Sequence, residues 1–194
     1  MYRSEKQDVL QRIAFAADER ASPMLLDALH DRDASFWAHE ALIHYLPLTP
    51  PLRDRIVADM RARGMPPSGI GVPKGIGCGE DVIVSIIEAS LDPARRAGWE
   101  GGALGAQQYP DNRLMAHLIA IATTDGAPGR IQAIFAIAFN RTDEGVAALQ
   151  KLIAAGPAEL RRFAADAVRA AYRDRSSATR GRPLLVSDFP ELAR

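Results

Sequence analysis

Three stretches decide how this chain reads: DPARRAGWEGGAL (residues 92–104), GAPGRIQAIFAI (126–137) and GPAELRRFAADAV (156–168). Each opens on a turn containing proline, places arginine about a helical turn further on, and closes on an alanine-rich face. Within them Ala103-Leu104, Ala136-Ile137 and Ala167-Val168 recur 33 and 31 residues apart. An earlier pair, Ala41-Leu42 in WAHEAL (37–42), lies 62 residues before Ala103-Leu104, which is two periods of 31. The same frame aligns Trp37, Trp99, Gln132 and Phe163. A helix pair that repeats at such a period cannot bury its apolar face alone and must stack on its neighbours.

Outward from these segments the periodicity is helical wherever it is regular, and no stretch sustains strand alternation. Ser4 and Gln7 form a capping box that opens a helix running to about Asp18. Ser22-Pro23 starts a helix to His30. Asp33 can cap another to Leu46, which Pro47, Pro50 and Pro51 end. A fourth covers 52–63. Residues 64–79, GMPPSGIGVPKGIGCG, then read as a Gly/Pro-rich loop. Helices resume over 80–91, 93–108, 112–124, 128–141, 143–155 and 157–173. Pro93, Pro128 and Pro157 each sit at a helix start, where a missing N–H costs nothing. The expected fold class is all-α.

The proline turn, the arginine and the alanine face resemble the HEAT-repeat family, in particular the short bacterial HEAT-like repeats. The resemblance extends over 23–173. It matches well from Asn112 to Arg173 and departs over 47–79, where the Gly/Pro segment replaces the second helix of a unit. It implies a right-handed α-solenoid of stacked helix pairs, about four units with an insertion at 64–79, in a single domain over 1–173 followed by a C-terminal tail, 174–194. In HEAT-like folds the second helices line a concave surface. The resemblance therefore implies a mixed-charge inner groove built from Glu40, Arg96, Glu100, Arg130, Arg162, Asp166 and Arg169.

Composition narrows the function classes. The chain has 194 residues and 24 basic against 24 acidic side chains, with 47% hydrophobic and 25% charged residues. That is the composition of a soluble globular protein. A net charge of zero removes the electrostatic argument for a dedicated nucleic-acid or membrane-surface binder. The first residues lack an apolar signal region, and no apolar run approaches the ~20 residues that span a bilayer. One cysteine, Cys78, allows neither an internal disulfide nor a thiolate metal site. The expectation is a cytoplasmic protein.

No motif expresses catalytic chemistry. His39-Glu40 and His44 superficially suggest a zinc-protease pair, but residues i and i+5 differ by about 140° around a helix and do not share a face. His30 and His117 lie elsewhere, without ligand spacing around them. The glycines of 69–79 suggest a phosphate cradle, yet no Ser or Thr follows Lys74 as a Walker loop requires, and Glu80-Asp81 would repel an anion at the next helix start. This segment reads as a surface loop whose Ile70, Val72 and Ile76 could contact a partner. Cys78 reads as an inert thiol. Trp37 and Trp99 stand four residues before their signature alanines, so they contribute to helix packing or serve as exposed anchors. Residues 157–194 hold eight arginines and five acids. PLLVSDFPELAR within the tail is apolar enough to dock.

These readings favour a non-catalytic protein-binding module with no metal or cofactor. Its partner would be another protein, engaged through Trp37, Glu40, Lys74, Arg96, Trp99, Glu100, Arg130, Arg162 and Asp166. By fold-level analogy, such a module serves as adaptor, scaffold or toxin-neutralising immunity protein. The alternative is a HEAT-like enzyme or nucleic-acid-binding protein, glycosylase-like or lyase-like. A third reading is a subunit of a homo-oligomer.

Overall fold

Small alanine side chains let helices approach from several sides, and the segment RIQAIFAIAFN of residues 130–140 is where this is used most fully. The computed structural model describes residues 8, 9, 12, 19–46, 48–67, 69–174 and 183–192. Every element among them is helical or a turn, with no strand. Where the sequence reads as one repeat domain over 1–173, the packing divides into two units, Met1–Ser90 and Leu91–Arg194. The helix expected over 4–18 lies outside the described residues, apart from positions 8, 9 and 12, which are helical.

In the first unit, α1 (Ser22–Leu29) carries Pro23 in its first turn. Helix α2 (Ser35–Glu40) continues into a π-helical turn, Ala41–Tyr45, closed by a bond from Leu46 N–H to the Ala41 carbonyl at 3.1 Å. Helices α3 (Pro50–Arg63), α4 (Gly71–Gly75) and α5 (Glu80–Ser90) follow. Helix α1 packs on α2 and α3, α3 on α5, and α4 on the π turn. Leu25, Leu29, Leu42, Ile56, Met60 and Ile87 are all fully buried.

The segment 64–79 departs from the surface loop expected of it. Met65, Ile70, Val72 and Ile76 are buried, so these residues supply core rather than partner contacts. The cause is a pair of glycines four residues apart. A Cβ on Gly71 would lie 2.9 Å from His39 Cε1, and one on Gly75 only 2.2 Å from Ile43 Cδ1. Residues i and i+4 of the one-turn helix α4 thus press against residues i and i+4 of the helix from Ser35 to Tyr45. Glycine serves here for close approach and not for an anion. At the segment's start, Met65 N–H donates to Ser90 Oγ at 2.6 Å, and that hydroxyl donates to the Ile86 carbonyl at 2.7 Å.

The second unit holds α6 (Trp99–Gln108), α7 (Met115–Thr123), α8 (Arg130–Asn140), α9 (Asp143–Ala155) and α10 (Ala158–Arg173). Short 3-10 turns, Arg96–Gly98 and Asn112–Leu114, lead into α6 and α7. Thr142 caps α9 by accepting from Gly145 N–H at 3.0 Å. Helix α8 touches α6, α7, α9 and α10, and α7 also touches α9. Ala133, Ala136 and Ala138 are fully buried beside Ile134 and Ile137, because only small side chains leave room for four neighbours. The signature alanines Ala41, Ala103, Ala136 and Ala167 are all buried, whereas Leu104 is 43% exposed where Leu42, Ile137 and Val168 are covered. In the tail, Leu184 and Phe189 are buried, and Gln150 Nε2 donates to the Asp188 carbonyl at 2.6 Å.

Candidate functional site

The residues expected to meet a partner separate into those that the fold itself consumes and those left to solvent. Trp99 belongs to the first group. It is buried, and its indole N–H donates to the Asp92 carbonyl at 2.9 Å, which folds the 92–98 turn onto the start of α6. It is therefore a packing residue and not an anchor. Arg130 is also consumed. Its Nε donates to the Ala122 carbonyl at 2.9 Å and its Nη1 pairs with Asp125 at 3.0 Å. A cation at the last turn of α7 meets both an orphan carbonyl and the negative end of the helix dipole.

Arg96, Glu100, Arg162 and Asp166 remain exposed in the second unit. The Arg96 guanidinium lies 5.3 Å from the Trp99 ring centre, and that of Arg162 lies 5.2 Å from the Phe163 ring. Glu100 accepts from Gln132 Nε2 at 3.4 Å, which ties α6 to α8 across their exposed sides. Asp166 pairs with Arg169 at 3.1 Å. In the first unit, Lys74 is exposed on α4 and Glu40 is half-buried, 3.9 Å from His44 Nε2. Trp37 is half-buried, with the exposed Phe36 ring edge-on at 5.3 Å.

His39 on α2 and His44 on the π turn diverge. His39 is held against α4 by a hydrogen bond with the Gly71 backbone, and burial lowers its pKa below the ordinary histidine value. His44 is largely exposed. Among the described residues no three His, Cys, Asp or Glu side chains gather as metal ligands would. Burial raises the Cys78 thiol pKa, against a weaker opposite pull from Arg53 and Arg61, so the thiol form prevails at neutral pH. His30 donates to Asp59 at 3.0 Å, while Arg63 bridges Asp59 at 2.7 Å and Asp27 at 2.8 Å, a charge network joining α1 to α3.

Sequence reasoning missed Arg141. It follows α8 with φ +54°, the left-handed region, and its side chain is buried. Its Nη2 donates to the Ala171 carbonyl and, at 3.0 Å, to that of Asp174, closing the end of α10. The signal for it was slight, an arginine in a short polar break between two apolar helices. Comparison with protein-family models, curated proteins and solved structures finds no match for the chain. Among the described residues no helix is long and apolar enough to cross a membrane.

Proposed function

We propose that this chain is a non-catalytic protein-binding module built as a right-handed stack of HEAT-like helix pairs, with its binding face on α6, α8 and α10. The observation that carries the reading is the order of helix contacts. Helix α8 lies against both α6 and α10, whose signature alanines stand 33 residues before and 31 after its own, and the intervening α7 and α9 touch one another. That order is what stacked helix pairs require. On α6, Glu100 and Leu104 are exposed at i and i+4. On α8, Gln132, Phe135 and Phe139 are half-exposed along one face. On α10, Arg162 and Asp166 are exposed at i and i+4. Mixed charge around partly covered aromatics is the make-up of a recognition surface. The net charge of zero favours a protein partner over nucleic acid, and the single cysteine suits a reducing cytoplasm. Adaptor, scaffold and immunity protein all fit a module of this kind.

The test compares the wild-type chain with Glu100→Arg/Arg162→Glu as affinity baits in extract of the source cells. Both sites are exposed, so circular dichroism should be unchanged. A stoichiometric partner retained by the wild type and lost by the double variant supports this face. A partner held equally by both baits places the binding elsewhere, and turnover of a small molecule by the purified chain would overturn the non-catalytic reading.

A further inference from the structure

A groove runs between the C-terminal half of α10 and the docked tail, and one of its lining residues, Arg169, pairs with Asp166 of the face just described. Its volume is about 220 Å3. Val168 and Phe189 are buried beneath it, while Tyr172 and Leu185 line it and are each 52% exposed. Large apolar side chains left half in water beside one another mark a surface that a partner would cover, and tyrosine is enriched where binding energy concentrates. The groove is held in shape before any partner arrives. Leu185 N–H donates to Asp188 Oδ2 at 2.7 Å, and the Asp188 carbonyl accepts from Gln150 of α9. Preorganisation of this kind lowers the ordering cost of binding.

Size and charge select the occupant. Pockets for drug-sized ligands and cofactors run to about 300–1,000 Å3, so this one has room for an apolar side chain or two and little more. Among the described residues, the charged groups lining it are both guanidinium, Arg169 and Arg173, and no carboxylate lines it. Arg169 shares its charge with Asp166, and Arg173 forms no ion pair among the described residues. We propose that this groove is a second recognition site, which takes a peptide segment of a partner protein with an apolar anchor residue flanked by Asp or Glu. The anchor enters above Val168 and Phe189 between Tyr172 and Leu185, and the flanking carboxylates meet Arg173 and Arg169. Guanidinium suits that task, since its fork of donors matches a carboxylate in geometry.

The experiment selects a displayed random-peptide library on the full-length protein, with depletion on an Arg173→Glu/Leu185→Asp variant. Both replaced side chains are exposed, and circular dichroism would verify that the variant folds. Enriched peptides should share an aromatic or aliphatic residue beside Asp or Glu. A synthetic copy of one should bind about tenfold more weakly to Arg173→Glu alone, the size of one lost charge-assisted hydrogen bond. Its affinity should also fall as salt rises. The same peptide should bind Glu100→Arg/Arg162→Glu normally, which separates this site from the face proposed above. An enriched set with basic flanks, no enrichment at all, or binding unaffected by both groove substitutions would overturn the proposal. So would concentration-dependent dimerisation abolished by Leu185→Asp, since the occupant would then be a second copy of the chain.

Discussion

Two glycines three residues apart, Gly126 and Gly129, test the packing of α6 against α8 with an internal control. Both have left-handed backbone, φ +64° and +74°. They differ in what an added Cβ would meet. At Gly126 nothing lies within 4 Å, whereas at Gly129 the Cβ would stand 2.6 Å from Glu100 Cα, 2.8 Å from Glu100 N and 3.0 Å from the Trp99 carbonyl carbon. Those are backbone atoms of the first turn of α6 and cannot rotate aside. Gly126→Ala therefore carries only the left-handed penalty, about 1 kcal/mol. Gly129→Ala carries the same penalty plus an overpacking cost of about 1–3 kcal/mol, for a total of about 2–4 kcal/mol. The chain has two tryptophans, so in a Trp37→Phe background Trp99 reports the unfolding of the second unit alone, from beside the perturbed contact. Urea titration followed by its fluorescence should separate the two variants by at least about 1 kcal/mol. If both lose the same stability to within about 0.5 kcal/mol, the usual margin of additivity, α6 does not rest on Gly129 and the order of helix contacts would need to be redrawn.

In the first unit, Gly75→Ala should cost about 1–3 kcal/mol by overpacking against Ile43, and Ile43→Ala on that background should return part of it; simple additivity in the double-mutant cycle would mean the two residues do not meet. Arg141→Met keeps the bulk but leaves the Ala171 and Asp174 carbonyls without their donor, so denaturant melts should show a loss of about 2–3 kcal/mol, with Arg141→Lys in between. His39 has a depressed pKa, set first by burial, so the unfolded chain takes up its proton more readily than the native one. Stability should fall as pH drops below 6.5 toward the folded value, and His39→Gln should flatten that part of a melting-temperature profile. Asp59 is held charged where His39 is held neutral. Burial would raise its pKa, but hydrogen bonds from His30 and Arg63 outweigh burial and hold the carboxyl below the ordinary range. Its contribution is complete above that range and is lost as pH falls through the folded value, so Asp59→Asn should be less stable at neutral pH and show a flatter acid limb.

Helices with clear caps and long periodicity were legible from the chain alone. The expected span 143–155 coincides with α9, where Thr142 caps the start, and 157–173 differs from α10 by one residue. The helix expected from Pro93 begins only at Trp99, because the indole bond to Asp92 folds the intervening residues into turns that no propensity announces. Helix α4 escaped because one turn and a half carries no measurable period. The visible sign was the spacing Gly71…Gly75, which supports close helix crossing as readily as it suggests a loop. Burial of Arg141 was illegible because a left-handed residue aims its side chain where sequence neighbours give no hint.

The repeat frame also misdirected the search for a site, for a physical reason. An arginine at the first position of a helix, after a proline turn, is placed to reach the end of the preceding helix, as Arg130 reaches Ala122. A tryptophan at a helix start is placed to close the turn before it, as Trp99 does. A residue that packing consumes in this way is no longer free to recognise anything. Recognition of the kind proposed above would use side chains that packing leaves over. Within the frame these are the outward charges Glu100, Arg162 and Asp166. Outside it they are Tyr172, Arg173 and Leu185, all exposed at the groove between α10 and the tail. The tail buries Leu184 and Phe189 and leaves a groove beside two arginines of α10.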